Sequence, residues 1–271
     1  MLSILNSVSS LTAENALSAT QASLQNTLTE LSTGLKINSG ADDPAGLSIA
    51  NGLAANISAL NQSSQNASDG VGLLQTADGA LSQVTTLLNR AVTLATEAST
   101  GGLSTSQATA LDTEYQSILT EIGNIGSTTN YNGEAIFGTT ATVFTSDGTA
   151  SGSNTTSTAI GALTTKALGL NGTDLTSTAD AQTALSDITA AISTVAANRG
   201  SIGAAVNQLT ADTNVENTEV TNLTSAENTV QNADIGQTVA QMTQYSVLQQ
   251  TGMAALSESN QAQQAVLKLL Q

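Results

Sequence analysis

The chain has 271 residues, of which only 10% are charged and 2% aromatic, with a formal net charge of −16 and neither cysteine nor histidine. Those absences exclude disulfide stapling, thiolate chemistry, imidazole acid–base catalysis and His- or Cys-ligated metals. The basic residues Lys36, Arg90, Lys166, Arg199 and Lys268 are scattered singly, which argues against a nucleic-acid or anionic-membrane surface. A core so poor in aromatics must be packed by Leu, Ile, Val and Ala, side chains that suit seams between helices.

The first residues, MLSILNSVSSLTAENALSAT, lack the basic and apolar regions of a signal peptide, and no run is long enough to span a bilayer. Export from the cell would take another route, and no membrane insertion is expected. Leu17, Leu24, Leu28, Leu31 and Leu35 then fall on one narrow helical stripe, the seam of a coiled coil. A break follows at GLKINSGADDP, which carries the only proline. Asp42 or Asp43 can accept the free N–H groups of a helix starting behind it, and Pro44 suits the first helical position. Gly34 and Gly40 loosen the chain just before, so the stretch reads as both hinge and cap.

Ala77, Leu81, Val84, Leu88, Ala91, Ala95 and Ala98 form the next stripe, with Leu73, Ala80, Leu87 and Leu94 beside it. Two adjoining stripes predict burial on more than one side. A third helix shows Ala108, Leu111, Tyr115, Ile118, Ile122 and Ile125. Between Tyr131 and Ala179 the helical register vanishes. Two short β-like runs (AIF and ATVF) with Asn-Gly and Asp-Gly dipeptides predict a small, β-rich or partly loose excursion. The fourth helix is the longest, from Leu185 through Ile188, Val195, Arg199, Ile202, Leu209 and Glu216 to Val230 without a break in register. A last amphipathic segment carries Ile235, Val239, Met242, Tyr245, Leu248, Met253, Leu256, Val266 and Leu270. The expected architecture is mainly α and hairpin-shaped: helices run out, a compact tip turns the chain, and helices return.

Several blocks carry a resemblance. ELSTGLKINSGADDPAGLSIANGL is similar to the N-terminal signature of bacterial flagellin, the flagellar filament subunit, with Pro44 standing where a small residue such as Ala is common. GLLQTADGALSQVTTLLNRAVTLATEAST, EIGNIGSTTNYNGEAIF, ALSDITAAISTVAANRGSIGAAVNQL and QMTQYSVLQQTGMAALSESNQAQQAVLKLLQ resemble further flagellin segments in the same order. The resemblance covers about residues 1–138 and 180–271. Where larger flagellins carry outer domains, this chain has a short stub.

This resemblance implies paired N- and C-terminal coiled-coil helices in a filament core, surrounded by a long-helix bundle. The expected parts are core helices at 1–40 and 232–271, bundle arms at 41–137 and 180–231, and the stub at 138–179. Leu17, Leu24, Leu28, Leu31, Leu35, Val239, Met242, Leu248, Leu256, Val266 and Leu270 would form polymerisation seams. It further implies extracellular assembly after type III export without a cleaved signal. The partners would be other subunits, an export chaperone and gate, and the cap and junction proteins.

In flagellins, the positions of Arg90, Leu94 and Glu114 belong to a face recognised by a vertebrate immune receptor, and residues 29–50 align with the epitope of plant receptors. Glu97 stands where many recognised flagellins have a Gln. A hook–filament junction protein shares the terminal plan and is the alternative reading. An enzyme is not expected, because no nucleophile–base set is apparent, and no cofactor is implied.

Overall fold

The computed structural model describes residues 8–148 and 155–269. Among them, three helices are followed by two small antiparallel strand pairs and then by two further helices: α1 (Val8–Thr33), α2 (Pro44–Ala98), α3 (Thr105–Thr128), β1 (Asn130–Tyr131), β2 (Glu134–Ala135), β3 (Thr140–Phe144), β4 (Thr155–Ala159), α4 (Thr178–Gln231) and α5 (Ile235–Leu269). The fold is mainly α. It comprises two compact units: 1–55 with 222–271, and 56–221.

The 56–221 unit follows from strict seven-residue spacing. On α2, Ala67, Leu74, Leu81, Leu88 and Ala95 lie in one buried column. Beside it, Ala77, Val84, Ala91 and Ala98 form a second, also buried. On α4, Ala181, Ile188, Val195, Ile202 and Leu209 recur every seventh residue, fully or nearly buried, and Ala184, Ala191 and Ala205 flank them. Alternating three- and four-residue steps keep one seam facing a partner helix. Tyr115, Ile118, Leu119 and Ile122 of α3 complete the same core. Gly200 and Gly203 leave α4 unbroken over its 54 residues, because tertiary packing outweighs the roughly 1 kcal/mol that each glycine costs in propensity.

The segment after α3 differs from its expectation. Only Ala135 of the AIF run belongs to a strand; Ile136 and Phe137 instead enter the core. The turn at Asn132-Gly133, with φ of 52° and 84°, has the positive values a tight type I′ hairpin requires. ATVF does form strand β3, paired with β4 from Thr140↔Ala159 to Phe144↔Thr155.

The excursion is not loose beyond β4. Ile160, Leu163, Leu168, Leu170 and Leu175 are buried in the helical core, and Tyr115 holds Thr173 through a 2.6 Å hydroxyl contact. Asp112 accepts the backbone N–H of Leu175 at 2.9 Å. Close approach needs missing side chains. A Cβ on Gly70 would meet Val143 at 2.5 Å, and one on Gly126 would strike the Leu163 carbonyl oxygen.

Candidate polymerisation surfaces

In the unit formed by the two chain ends, α1 packs antiparallel on α5. An ideal Cβ on Gly252 would lie 3.4 Å from Leu17, and one heptad further out on both helices Ser10 meets Ser259 at 2.8 Å. The inward positions of α1 are Ser10, Ala13, Leu17, Thr20, Leu24, Thr27 and Leu31; those of α5 include Thr238, Met242, Tyr245, Gln249, Gly252, Leu256 and Ser259. This seam is regular, but much of it is small or polar. Among its described residues only Thr27 and Thr238 are buried, each hydroxyl donating to the carbonyl four residues back in its own helix.

The expected leucine stripe is therefore divided. Leu17, Leu24 and Leu31 are half-buried in the pair, whereas Leu28 points away with 47% of its surface exposed. Leu35 is no part of the helical stripe, because α1 ends at Thr33. On α5, Met242 and Leu256 face inward while Val239, Val247, Leu248 and Met253 are exposed. Val8, Leu11 and Ile235 add to this outer apolar surface. Val266 and Leu270 lie outside the residues described at side-chain level.

Backbone geometry fixes where the pair begins. Gly34, with φ +75°, terminates α1 by donating its N–H to the Glu30 carbonyl at 2.8 Å, a left-handed C-terminal cap. Immediately afterwards, Leu35 bridges Asn232: Lys36 N–H donates to Gln231 O at 2.7 Å, and Ala233 N–H to Gly34 O at 2.9 Å. The stretch expected to be a hinge is thus pinned at its first residues by the segment joining α4 to α5.

Beyond the bridge the two aspartates separate in role. Asp43 caps α2, its Oδ1 accepting from Ala45 N–H at 3.1 Å and Gly46 N–H at 2.9 Å, with Pro44 in the first helical position. Asp42 closes the loop instead, accepting from Asn38 N–H at 3.1 Å and from Ser39 N–H at 2.8 Å. Those backbone hydrogen bonds, with that of the Ser39 hydroxyl, hold its carboxyl below the usual range. Gly40 remains exposed in this loop.

Arg90 and Glu114 are exposed and paired at 2.7 Å. The hydrogen bond from Arg90 keeps the Glu114 carboxyl below its usual value. Leu94 does not join them on a surface: it is 1% exposed, because its column turns into the bundle core. A feature legible as S-x-x-Q but absent from the stripe analysis is the start of α3, where Ser104 and Gln107 form a reciprocal capping box.

The comparisons with known proteins agree along the chain. Residues 4–142 match the bacterial flagellin N-terminal helical region, and residues 185–270 match the bacterial flagellin C-terminal helical region. A flagellin of Halalkalibacterium halodurans is 34% identical over 251 residues, covering 91% of each chain. The flagellin of Bacillus subtilis is 31% identical over 300 residues, covering 98% of each. The crystal structure of Bacillus cereus flagellin superimposes with a TM-score of 0.50 at 29% identity, over 56% of this chain and 88% of that one. The matching names are flagellins and a flagellar filament core protein, and none favours the junction-protein alternative. Both terminal helical regions and the connecting bundle thus place this chain in the bacterial flagellin family, as a structural subunit of the flagellar filament.

Proposed function

We propose that the chain enters the filament through its α1–α5 pair, with Leu28, Val239 and Leu248 covered by neighbouring copies. The observation that carries this reading is the incomplete seam of the pair: hydroxyls, amides and small residues occupy much of it, while Val8, Leu11, Leu28, Val239, Val247, Leu248 and Met253 are left exposed among the polar side chains of the outer faces. A two-helix unit so arranged gains little from closing on itself, and burial of its outer face supplies the missing hydrophobic term. Leu17, Leu24, Leu31, Met242 and Leu256 keep the pair together, and Leu35 marks its base.

The chain would leave the cell unfolded by the flagellar type III route, guided by an export chaperone and gate. It would then add beneath a cap, with junction proteins at the base of the filament. The filament itself lies outside the cell, and no helix among the described residues is long and apolar enough to cross a membrane. The pinned Gly34–Lys36 segment and the Asp43–Pro44 cap leave the loop around Gly40, closed by Asp42, as the place where α1 would reorient when a subunit docks. The exposed Arg90–Glu114 pair and the stretch 29–50 are the surfaces on which host immune receptors would act.

Seeded polymerisation followed by electron microscopy tests the central claim. The unaltered protein should extend seeds into long filaments. Leu28→Ala combined with Leu248→Ala should keep the monomer's helicity and melting midpoint but extend seeds poorly. Normal growth of the double variant would remove the outer face from the mechanism.

A further inference from the structure

The seven-residue columns of the 56–221 unit contain two buried polar intruders, and they touch. Ser63 extends the α2 column of Ala77 and Val84, and Glu216 stands in the α4 column seven residues beyond Leu209. Both are almost completely buried, Ser63 1% and Glu216 5% exposed. Ser63 Oγ lies 2.5 Å from Glu216 Oε1 and 3.5 Å from the carbonyl oxygen of Phe144, the last residue of β3. Glu216 Oε2 is buried with no hydrogen-bond partner.

A serine hydroxyl carries one hydrogen, and here two acceptors compete for it. We propose that Glu216 is a proton-controlled latch between the helices and the β3–β4 hairpin. With Glu216 ionised, the Ser63 hydrogen turns to the carboxylate, and the Phe144 carbonyl loses its donor. With Glu216 protonated, the acid O–H donates to Ser63 Oγ, and the Ser63 hydrogen is released to the Phe144 carbonyl. Protonation therefore adds a hydrogen bond from α2 to the hairpin and ionisation removes it, while the Thr156 contact with Asp212 of α4 stays.

The surroundings favour the protonated form at pH values where an exposed glutamate is charged. Burial pushes the Glu216 carboxyl above its usual value, against the opposing Ser63 hydrogen bond, and the nearby Asp212 and Glu219 of the same helix raise it further. Asp212 is itself approached by the Thr156 hydroxyl of β4 at 3.3 Å. On α2, Asp69 is exposed and holds Gln65 at 3.1 Å. The strand β3 offers its backbone carbonyl, and Asp147 lies three residues beyond the end of that strand. Arg90 and Arg199 are committed to Glu114 and Asp78, and among the described residues no cation lowers the Glu216 carboxyl.

The direction of the linkage follows. A carboxyl whose folded value lies above its unfolded one favours the fold fully below the unfolded value, and this contribution is lost as pH rises through the folded value. Because the filament is outside the cell, the latch reads the pH of the medium.

The test uses the full-length monomer without seeds. Carboxyl-carbon NMR, with Glu216 assigned by its loss in Glu216→Gln, should show a midpoint above the ordinary glutamate value of about 4.3. Amide-exchange protection of β3 and β4, corrected for intrinsic rate, should fall as pH is raised through that midpoint. Glu216→Gln, which keeps shape and mimics the neutral acid, should fold, melt higher than the parent at neutral pH and show no such fall. Ser63→Ala, which removes the relay and keeps the carboxyl, should retain the raised midpoint but lose the coupled change in hairpin protection. A midpoint in the ordinary range would overturn the latch, and so would a Gln variant that fails to fold or melts lower. An unchanged pH response of the hairpin in either variant would do the same.

Discussion

The terminal pair and the 56–221 unit both carry leucines at heptad spacing, yet they end in opposite states. In the 56–221 unit the columns of α2 and α4 are closed by α3 and by the leucines following β4, so Leu81, Leu88 and Ile188 are fully buried. In the terminal pair α1 has only α5, and aliphatic positions such as Leu28 and Val247 remain about half exposed. Heptad spacing specifies which side of a helix seeks a partner; the number of partners available within one chain decides whether that side is satisfied. The proposed assembly uses both outcomes: a self-sufficient body folds beforehand, and the unsatisfied pair supplies the surface that neighbouring copies would cover.

The contrast is sharpest under truncation. Leu88→Ala should destabilise the monomer by about 2–5 kcal/mol, since the cavity opens at a fully packed site. Leu248→Ala should change it by no more than about 0.5 kcal/mol, as for an exposed position. Chemical denaturation of both monomers checks this. Equal losses would mean that the terminal pair is as closed as the bundle.

A smaller effect probes the base of the pair. Gly34→Pro requires a residue locked near φ −65° to replace one at +75° and removes the N–H that caps α1. The expected loss is roughly 1–3 kcal/mol, confined to the terminal unit. Amide exchange should show α1 loosening while α2 to α4 keep their protection. The monomer is therefore altered by this substitution before any assembly begins.

The smallest effects separate the two aspartates. Asp43→Ala should cost about 1 kcal/mol, the usual loss on removing an N-terminal cap, and fray the first turn of α2. Asp42→Ala should act on acid sensitivity instead. Its carboxyl is held low by the Asn38 and Ser39 hydrogen bonds. Its contribution is thus present above the ordinary aspartate value of about 3.9 and is lost as pH falls through the lower folded value. Melting curves on the acid side of that value should show a shallower decline for Asp42→Ala than for the parent. An identical decline would remove the loop from the acid response.

Periodicity made much of this architecture legible, and its failures have specific causes. The α4 stripe is apparent from Ile188, Val195, Ile202 and Leu209, but Ala181, Ala184, Ala191 and Ala205 are equally buried and carry little hydrophobic signal of their own. Leu28 and Leu31 look alike in sequence, and only the position of α5 decides that one faces in and the other out. Leu94 shows the converse: a position assigned by resemblance to a surface face is closed by the packing of its own bundle. The leucines after β4 follow no strand or helix period, so their burial leaves no pattern to read.

The bridge between Leu35 and Asn232 was invisible for another reason, since it is made by main-chain atoms. An antiparallel seam of small and polar residues discriminates weakly between neighbouring alignments, and a slip by one turn would move it only about 5.4 Å. The two bridge hydrogen bonds sit at one end of both helices and cannot survive such a slip. They act as the zero mark of a ruler, from which Leu17 reaches Gly252 and Ser10 reaches Ser259 by counting alone. Side chains along that ruler are then free to drift, provided the mark stays where it is.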